Sequence, residues 1–124
     1  MNSALKSHGF ELLTRWTLRN GRIKPETTDW DNCSSWIYSF AFGRSIFYVG
    51  IATTVLRSRF DGYSYQINDT VGRNILERLQ HGKRVDIYGL RRPGVEKSDL
   101  EKEESVLITK YDPPWNVRGK RRDA

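Results

Sequence analysis

A chain of 124 residues with 37% hydrophobic and 29% charged residues has room for one domain around one modest core. No run approaches the ~20 consecutive apolar residues of a membrane-spanning helix, which excludes that class. A net charge of +6, a pI of about 9.7 and a content of four Trp, six Tyr and five Phe give the electrostatic footprint of a nucleic-acid partner.

The N-terminus, MNSALKSHGFELL, lacks the apolar stretch and small-residue cleavage site of a secretory signal, so a cytoplasmic protein is expected. His8 falls in this arm, which is expected to be mobile. Residues Trp16 to Ile23 carry Asn20-Gly21 between short apolar-containing runs, a hairpin signal because both turn positions need positive φ. Residues 24–35 are polar and loop-like. Cys33 in that loop is the only cysteine, which rules out an internal disulfide and a cysteine-based zinc site.

WIYSFAF, the turn Gly43-Arg44-Ser45 and IFYVG predict a second hairpin, whose apolar residues on both faces suggest central strands. Thr53 or Thr54 is suited to cap a helix from about Val55 to Tyr63, followed by the loop SYQIND. Thr70 is placed to cap a further helix, VGRNILERLQH, with Val71, Ile75, Leu76 and Leu79 on one face and Gly82 as its stop. There His81 suits the negative end of the helix dipole and reads as a capping residue.

RVDIYGL reads as a strand and RRPG as a turn. Ser98-Asp99-Leu100-Glu101 has the form of a capping box opening a last helix that stops before Pro113. The tail, RGKRRDA, is basic. The sum is an α+β pattern with a small, partly antiparallel sheet.

Helical phase sorts the charges on two of these helices. With Leu100 at 0°, Leu107, Ile108 and Tyr111 fall near ~340°, ~80° and ~20°, which centres an apolar stripe at about 20°. Glu104 falls near ~40°, inside the stripe, whereas Glu103 (~300°) and Glu101 (~100°) lie off it. Glu101 has the capping-box position, and Glu103 is expected to be solvated. A carboxylate on a buried stripe costs several kcal/mol unless it is paired or binds a metal. On the earlier helix, Arg59 near ~40° lies in the arc of Leu56, Phe60 and Tyr63 when Val55 is set at 0°, while Arg57 near ~200° faces away. Arg59 and Glu104 could form a structural ion pair, or two parts of one polar site.

In order along the chain these residues resemble the GIY-YIG nuclease family. WIY (Trp36 to Tyr38) and YVG (Tyr48 to Gly50) are similar to the paired motif that names it. Leu56, Arg59 and Tyr63 fit its L-x-x-R-x-x-x-[YH] pattern. Glu104, Leu107, Ile108, Tyr111, Pro113 and Asn116 fit E-x-x-L-I-x-x-Y-x-P-x-x-N. Trp36 stands where the family usually has Gly. An extra residue between Gly50 and Leu56 keeps Arg57 as the alternative to Arg59.

The resemblance implies a small α+β domain with a three-stranded mixed or antiparallel sheet at residues 36–117. An N-terminal extension with a hairpin (1–35) precedes it and a basic tail (118–124) follows. It implies a metal-dependent DNA endonuclease, and Glu104 as the ligand of Mg²⁺, with Mn²⁺ as a substitute. One carboxylate leaves waters and substrate to fill the coordination shell, which Mg²⁺ tolerates. Arg59 would contact phosphate bidentately. Tyr38 would position or deprotonate the attacking water, with help from a cation because tyrosine titrates near ~10. Tyr48 and Tyr63 would orient water and phosphate, and Asn116 would brace the segment after the last helix.

Arg57, Lys83, Lys110, Arg118, Lys120, Arg121 and Arg122 are candidate DNA contacts, of the kind that give affinity and little sequence information. DNA is the expected partner, no membrane is expected, and double-strand cleavage would call for a homo-oligomer. The competing readings are a non-catalytic nucleic-acid-binding module, a repair-type incising nuclease, and a basic structural protein. On the bland readings Tyr38 and Tyr48 are ordinary strand aromatics and Trp115 is a packing residue.

Overall fold

The computed structural model describes residues 2–19, 22–25, 34–55 and 70–116. They form α1 (Ser3–Ser7), β1 (Glu11–Arg19), β2 (Arg22–Pro25), β3 (Ser34–Phe42), β4 (Ser45–Val55), α2 (Thr70–Gln80), β5 (Val85–Arg91) and α3 (Lys97–Tyr111). The strands make one five-stranded sheet in the order β2-β1-β5-β3-β4, and every pair in it is antiparallel. The α+β class is as expected. The three expected strands are its β5-β3-β4 part, and the N-terminal hairpin continues the same sheet through β1, paired Trp16↔Val85 to Glu11↔Gly89 with β5.

Side chains on a strand alternate between faces, and β3 shows why its run is apolar throughout. Trp36, Tyr38 and Phe40 pack with Trp16, Val85 and Ile87 against Val71, Ile75 and Leu79 of α2. Ile37 and Ala41 pack with Val49, Tyr88 and Leu90 against Leu5 of α1 and Leu100, Leu107 and Ile108 of α3. The sheet is therefore covered on both faces. Of the two strands expected to be central, β3 is interior and β4 is an edge strand, because the next sheet neighbour of β3 is β5.

Trp36 fits in a position that the family gives to Gly because of a glycine on the neighbouring strand. A Cβ on Gly89 would lie 3.0 Å from the Trp36 ring and 2.5 Å from Leu13 Cδ1. The bulk gained on β3 is thus matched by bulk absent from β5.

Several boundaries differ from the expectation. Thr53, Thr54 and Val55 belong to β4, so they do not open a helix; a run of β-branched residues suits the pleat better than a helix start. The rest of the helix expected there lies outside the described residues. The N-terminal arm is docked. Asn2 caps α1 by accepting from Leu5 N–H at 3.0 Å, donates from its own N–H to the Tyr88 hydroxyl at 2.9 Å, and reaches the Gly43 carbonyl at 3.1 Å.

Helix α2 ends as the sequence suggests. Gly82 has φ +73°, and the N–H groups of Gly82 and Lys83 return to the carbonyls of Leu79 and Arg78. His81 N–H and Nδ1 both turn to the Glu77 carbonyl, the capping role expected of it. Helix α3 starts one residue before the expected box. Glu96 is its N-cap without a side-chain bond, so Ser98 lies inside the helix and Glu101 has no capping-box partner. Its other end is Asp112, at φ 47°, ahead of Pro113. Among the described residues no helix is long and apolar enough to cross a membrane.

Candidate active site

The two motif tyrosines converge on one glycine. Tyr38 on β3 is paired with Gly50 on β4, and Phe40 with Tyr48. The Tyr38 and Tyr48 rings lie 6.1 Å apart at 40°. A Cβ on Gly50 would come within 2.7 Å of Tyr38 Cζ and Oη and 2.8 Å of Tyr48 Cε2. The Tyr38 side chain therefore crosses its neighbouring strand and carries its hydroxyl over Gly50. The third letter of YVG is glycine because the tyrosines occupy the space a side chain would need. Tyr38 is buried and Tyr48 partly exposed.

Asn116 holds this strand from its outer side. Val49 N–H donates to Asn116 Oδ1 at 2.8 Å, and Asn116 Nδ2 donates to the Val49 carbonyl at 2.7 Å. Trp115 N–H donates to the Phe47 carbonyl at 2.9 Å. A carboxamide carries one acceptor and donors in the arrangement of a peptide group, so buried Asn116 replaces one residue of a missing neighbour strand.

The brace expected of Asn116 thus acts on the residue between Tyr48 and Gly50. Asn116→Asp keeps the acceptor, loses the donor and sets a carboxylate oxygen against the Val49 carbonyl. It is expected to cost about 2 kcal/mol at neutral pH. The introduced carboxyl has its pKa raised there, and its protonated form regains a donor. The deficit against wild type should therefore be full at neutral pH and shrink on acidification. Paired thermal melts of the two proteins at neutral and mildly acidic pH check this.

The glutamates of α3 separate by their neighbours. Glu103 is engaged instead of solvated: Arg92 Nε and Nη2 donate to its two oxygens at 2.9 and 2.8 Å, and His8 Nε2 is 3.3 Å away. The Arg92 hydrogen bonds, the largest cause, hold the Glu103 carboxyl below the usual carboxylate range against the opposing effect of partial burial, with His8 adding to the lowering. The same contact raises Arg92. Helical phase did not reveal the loop and the N-terminal arm, which bring Arg92 and His8 to Glu103.

Glu104 is half-buried on the helix whose Leu100, Leu107 and Ile108 sit against β3 and β4. Another inward carboxylate, Asp86 on β5, is buried with Arg84 Nε at 3.0 Å and Arg15 Nε at 3.5 Å, which marks it as an ion-paired structural acid. Among the described residues no cluster of three or more His, Cys, Asp and Glu could hold a metal ion.

The structure thus brings Tyr38, Tyr48 and Asn116 together around Val49 and Gly50, and puts Glu104 on the helix covering the other face of the same two strands. Arg57, Arg59, Tyr63, Arg118, Lys120, Arg121 and Arg122 lie outside the described residues. Lys110 is exposed, its ammonium 5.4 Å from the Tyr111 ring, and Lys83 is exposed beside α2.

One arrangement was not foreseen. A groove of about 260 Å³ is lined by Phe47, Arg78, Lys83 and Trp115, among others. Its residues come from β4, α2 and the segment after α3, and no spacing in the sequence links them.

The sheet order, the helix on each face and the tyrosine pair over a glycine together form a GIY-YIG-like fold. Among solved structures, a mutant of bacteriophage T4 EndoII is similar to this chain with a TM-score of 0.75 and 23% identity, over 92% of this chain and 96% of that one. The restriction endonuclease HPY188I, solved with product DNA, is similar with a TM-score of 0.58 and 16% identity, over 89% of this chain and 80% of that one. The phage protein is also the one that the sequence pattern resembles over nearly the whole chain, from the NG-containing segment to PPWN. No protein-family model matches the chain, and no curated protein matches it in sequence.

Proposed function

We propose that the chain is a divalent-metal-dependent DNA endonuclease that hydrolyses phosphodiester bonds. The observation that carries this is the pair of motif tyrosines packed over Gly50 on a strand held by Asn116, in a fold shared with a restriction endonuclease solved with product DNA.

The donor set suits a hard cation held through few protein ligands. Glu104 offers one half-buried carboxylate, and Mg²⁺ is commonly held by one or two carboxylates with water and phosphate oxygens. When bound, such an ion supplies stabilisation of charge on the phosphate oxygens. The chain's own groups have the remaining tasks. Tyr38 and Tyr48 would hold the attacking water by their hydroxyls, and Arg59 would pair with the phosphate, Tyr63 beside it. Asn116 fixes the strand that bears Tyr48.

Arg57, Lys83, Lys110 and the basic residues Arg118, Lys120, Arg121 and Arg122 would follow the DNA backbone. One site cuts one strand, so a double-strand break needs two protomers or two events. A cytoplasmic setting fits this reading.

The test is plasmid cleavage with Mg²⁺, with Mn²⁺ and with EDTA. Nicking or linearisation that appears with metal and stops with EDTA is expected. Equal cleavage in EDTA would remove the metal. Binding of DNA without cleavage in any metal would favour a non-catalytic binding module on the same fold.

A further inference from the structure

The groove beside α2 contains a preorganised cation. The Arg78 guanidinium lies 4.5 Å from the centroid of the Phe47 ring, and Trp115 stacks on Phe47 at 4.9 Å and 18°. Phe47 thus packs against both the guanidinium and the Trp115 ring. Arg78 also lies 5.1 Å from the Phe42 ring, and its Nε donates to the Arg84 carbonyl at 2.8 Å. Stem and plane are fixed, while the two terminal nitrogens take no protein acceptor among the described residues. Lys83, exposed on the same groove, has no ion pair among them.

We propose that Arg78 and Lys83 form a phosphate-contact site for the DNA backbone, away from the tyrosine pair, with Phe47 and Trp115 as the shelf that orients the guanidinium. The proposal rests on the DNA-endonuclease reading and adds Arg78, with its aromatic shelf, to the Lys83 contact of that reading. Phosphate is favoured over a stacked base because the Phe47 ring is already engaged by Arg78 and Trp115. A planar guanidinium with both Nη groups open matches a phosphate bidentately. Charge agrees: among the described residues Glu77 is the one carboxylate lining the groove, against Arg78 and Lys83. Stacking on aromatic faces reduces the ordering needed on binding.

The experiment measures the affinity of a labelled DNA duplex across a salt series, without divalent cation, for wild type, Arg78→Gln, Lys83→Ala and, at the start of α3, Lys97→Ala. Each phosphate contact contributes about 0.9 to the slope of log affinity against log salt. Arg78→Gln and Lys83→Ala are each expected to flatten the slope by about that amount on duplexes of unrelated sequence, with Lys97→Ala unchanged. Lys83 is exposed and leaves the packing intact, so its result stands if Arg78→Gln melts early. Slopes equal to wild type for both groove variants overturn the site while leaving the nuclease reading in place. So does an equal flattening by Lys97→Ala, which would mark diffuse charge attraction. A wild type that binds no duplex under any salt removes the nuclease reading, and the site with it.

Discussion

Glu104→Ala is expected to abolish metal-dependent cleavage while leaving DNA binding and the fold largely as they are. A ligated cation is worth several kcal/mol of stabilisation to the developing charge, and each ~1.4 kcal/mol is tenfold in rate, so the loss should be about a thousandfold or more. The rival explanation of an inward glutamate is a structural ion pair. Removing one partner of such a pair costs stability, because the other charge is left behind. The two accounts therefore separate by readout. A catalytic ligand predicts a large fall in cleavage with a small change in melting temperature and in duplex affinity. A structural pair predicts that all three fall together. Cleavage at the wild-type rate by Glu104→Ala would sink the assignment.

Gly50→Ala tests the tyrosine pair with the smallest possible change. The new methyl would stand 2.7 Å from Tyr38 Cζ and Oη and 2.8 Å from Tyr48 Cε2, so both rings must shift. Tyr38 has little freedom to do so: it is buried, with the Phe40 ring 5.5 Å away and Tyr48 beside it. Overpacking of this kind costs about 1–3 kcal/mol. Displacing the hydroxyls by the order of 1 Å should lower cleavage about a hundredfold, since productive geometry tolerates little error. Assayed well below its melting temperature, Gly50→Ala separates the roles. If Tyr38 and Tyr48 only fill the core, the folded variant cleaves like wild type.

The elements legible in the sequence are those whose pattern is local. Helix α2 had its face in Val71, Ile75 and Leu79 and its stop in Gly82, and the structure uses them all. The β3–β4 hairpin was legible because Gly43-Arg44 interrupts an otherwise apolar run. Helix α3 was legible from Leu100, Leu107 and Ile108, all of them buried. What was not legible depended on partners far along the chain. Helix α1 has five residues, too few for periodicity to show, and is held by Asn2 against Tyr88 and Gly43. Glu103 looked solvated because Arg92 and His8 come from elsewhere.

The capping box was matched by residue type, but the helix starts just ahead of it, at Lys97 with Glu96 as N-cap. The site divides along the same line. The order of Tyr38, Tyr48, Glu104 and Asn116 could be read from spacing; the crowding over Gly50 and the carboxamide clamp on Val49 could not, because they join residues on different strands or far apart in the sequence.

The clamp has a bearing on assembly. An edge strand offers unpaired backbone groups to which a second sheet can add. On β4 the Phe47 carbonyl and both Val49 groups are already taken by Trp115 and Asn116, so two copies cannot join by running their sheets together there without unseating the residue that steadies the tyrosines. The device that orders the site also occupies this stretch of the β4 edge, and its loss would expose those backbone groups to intermolecular pairing.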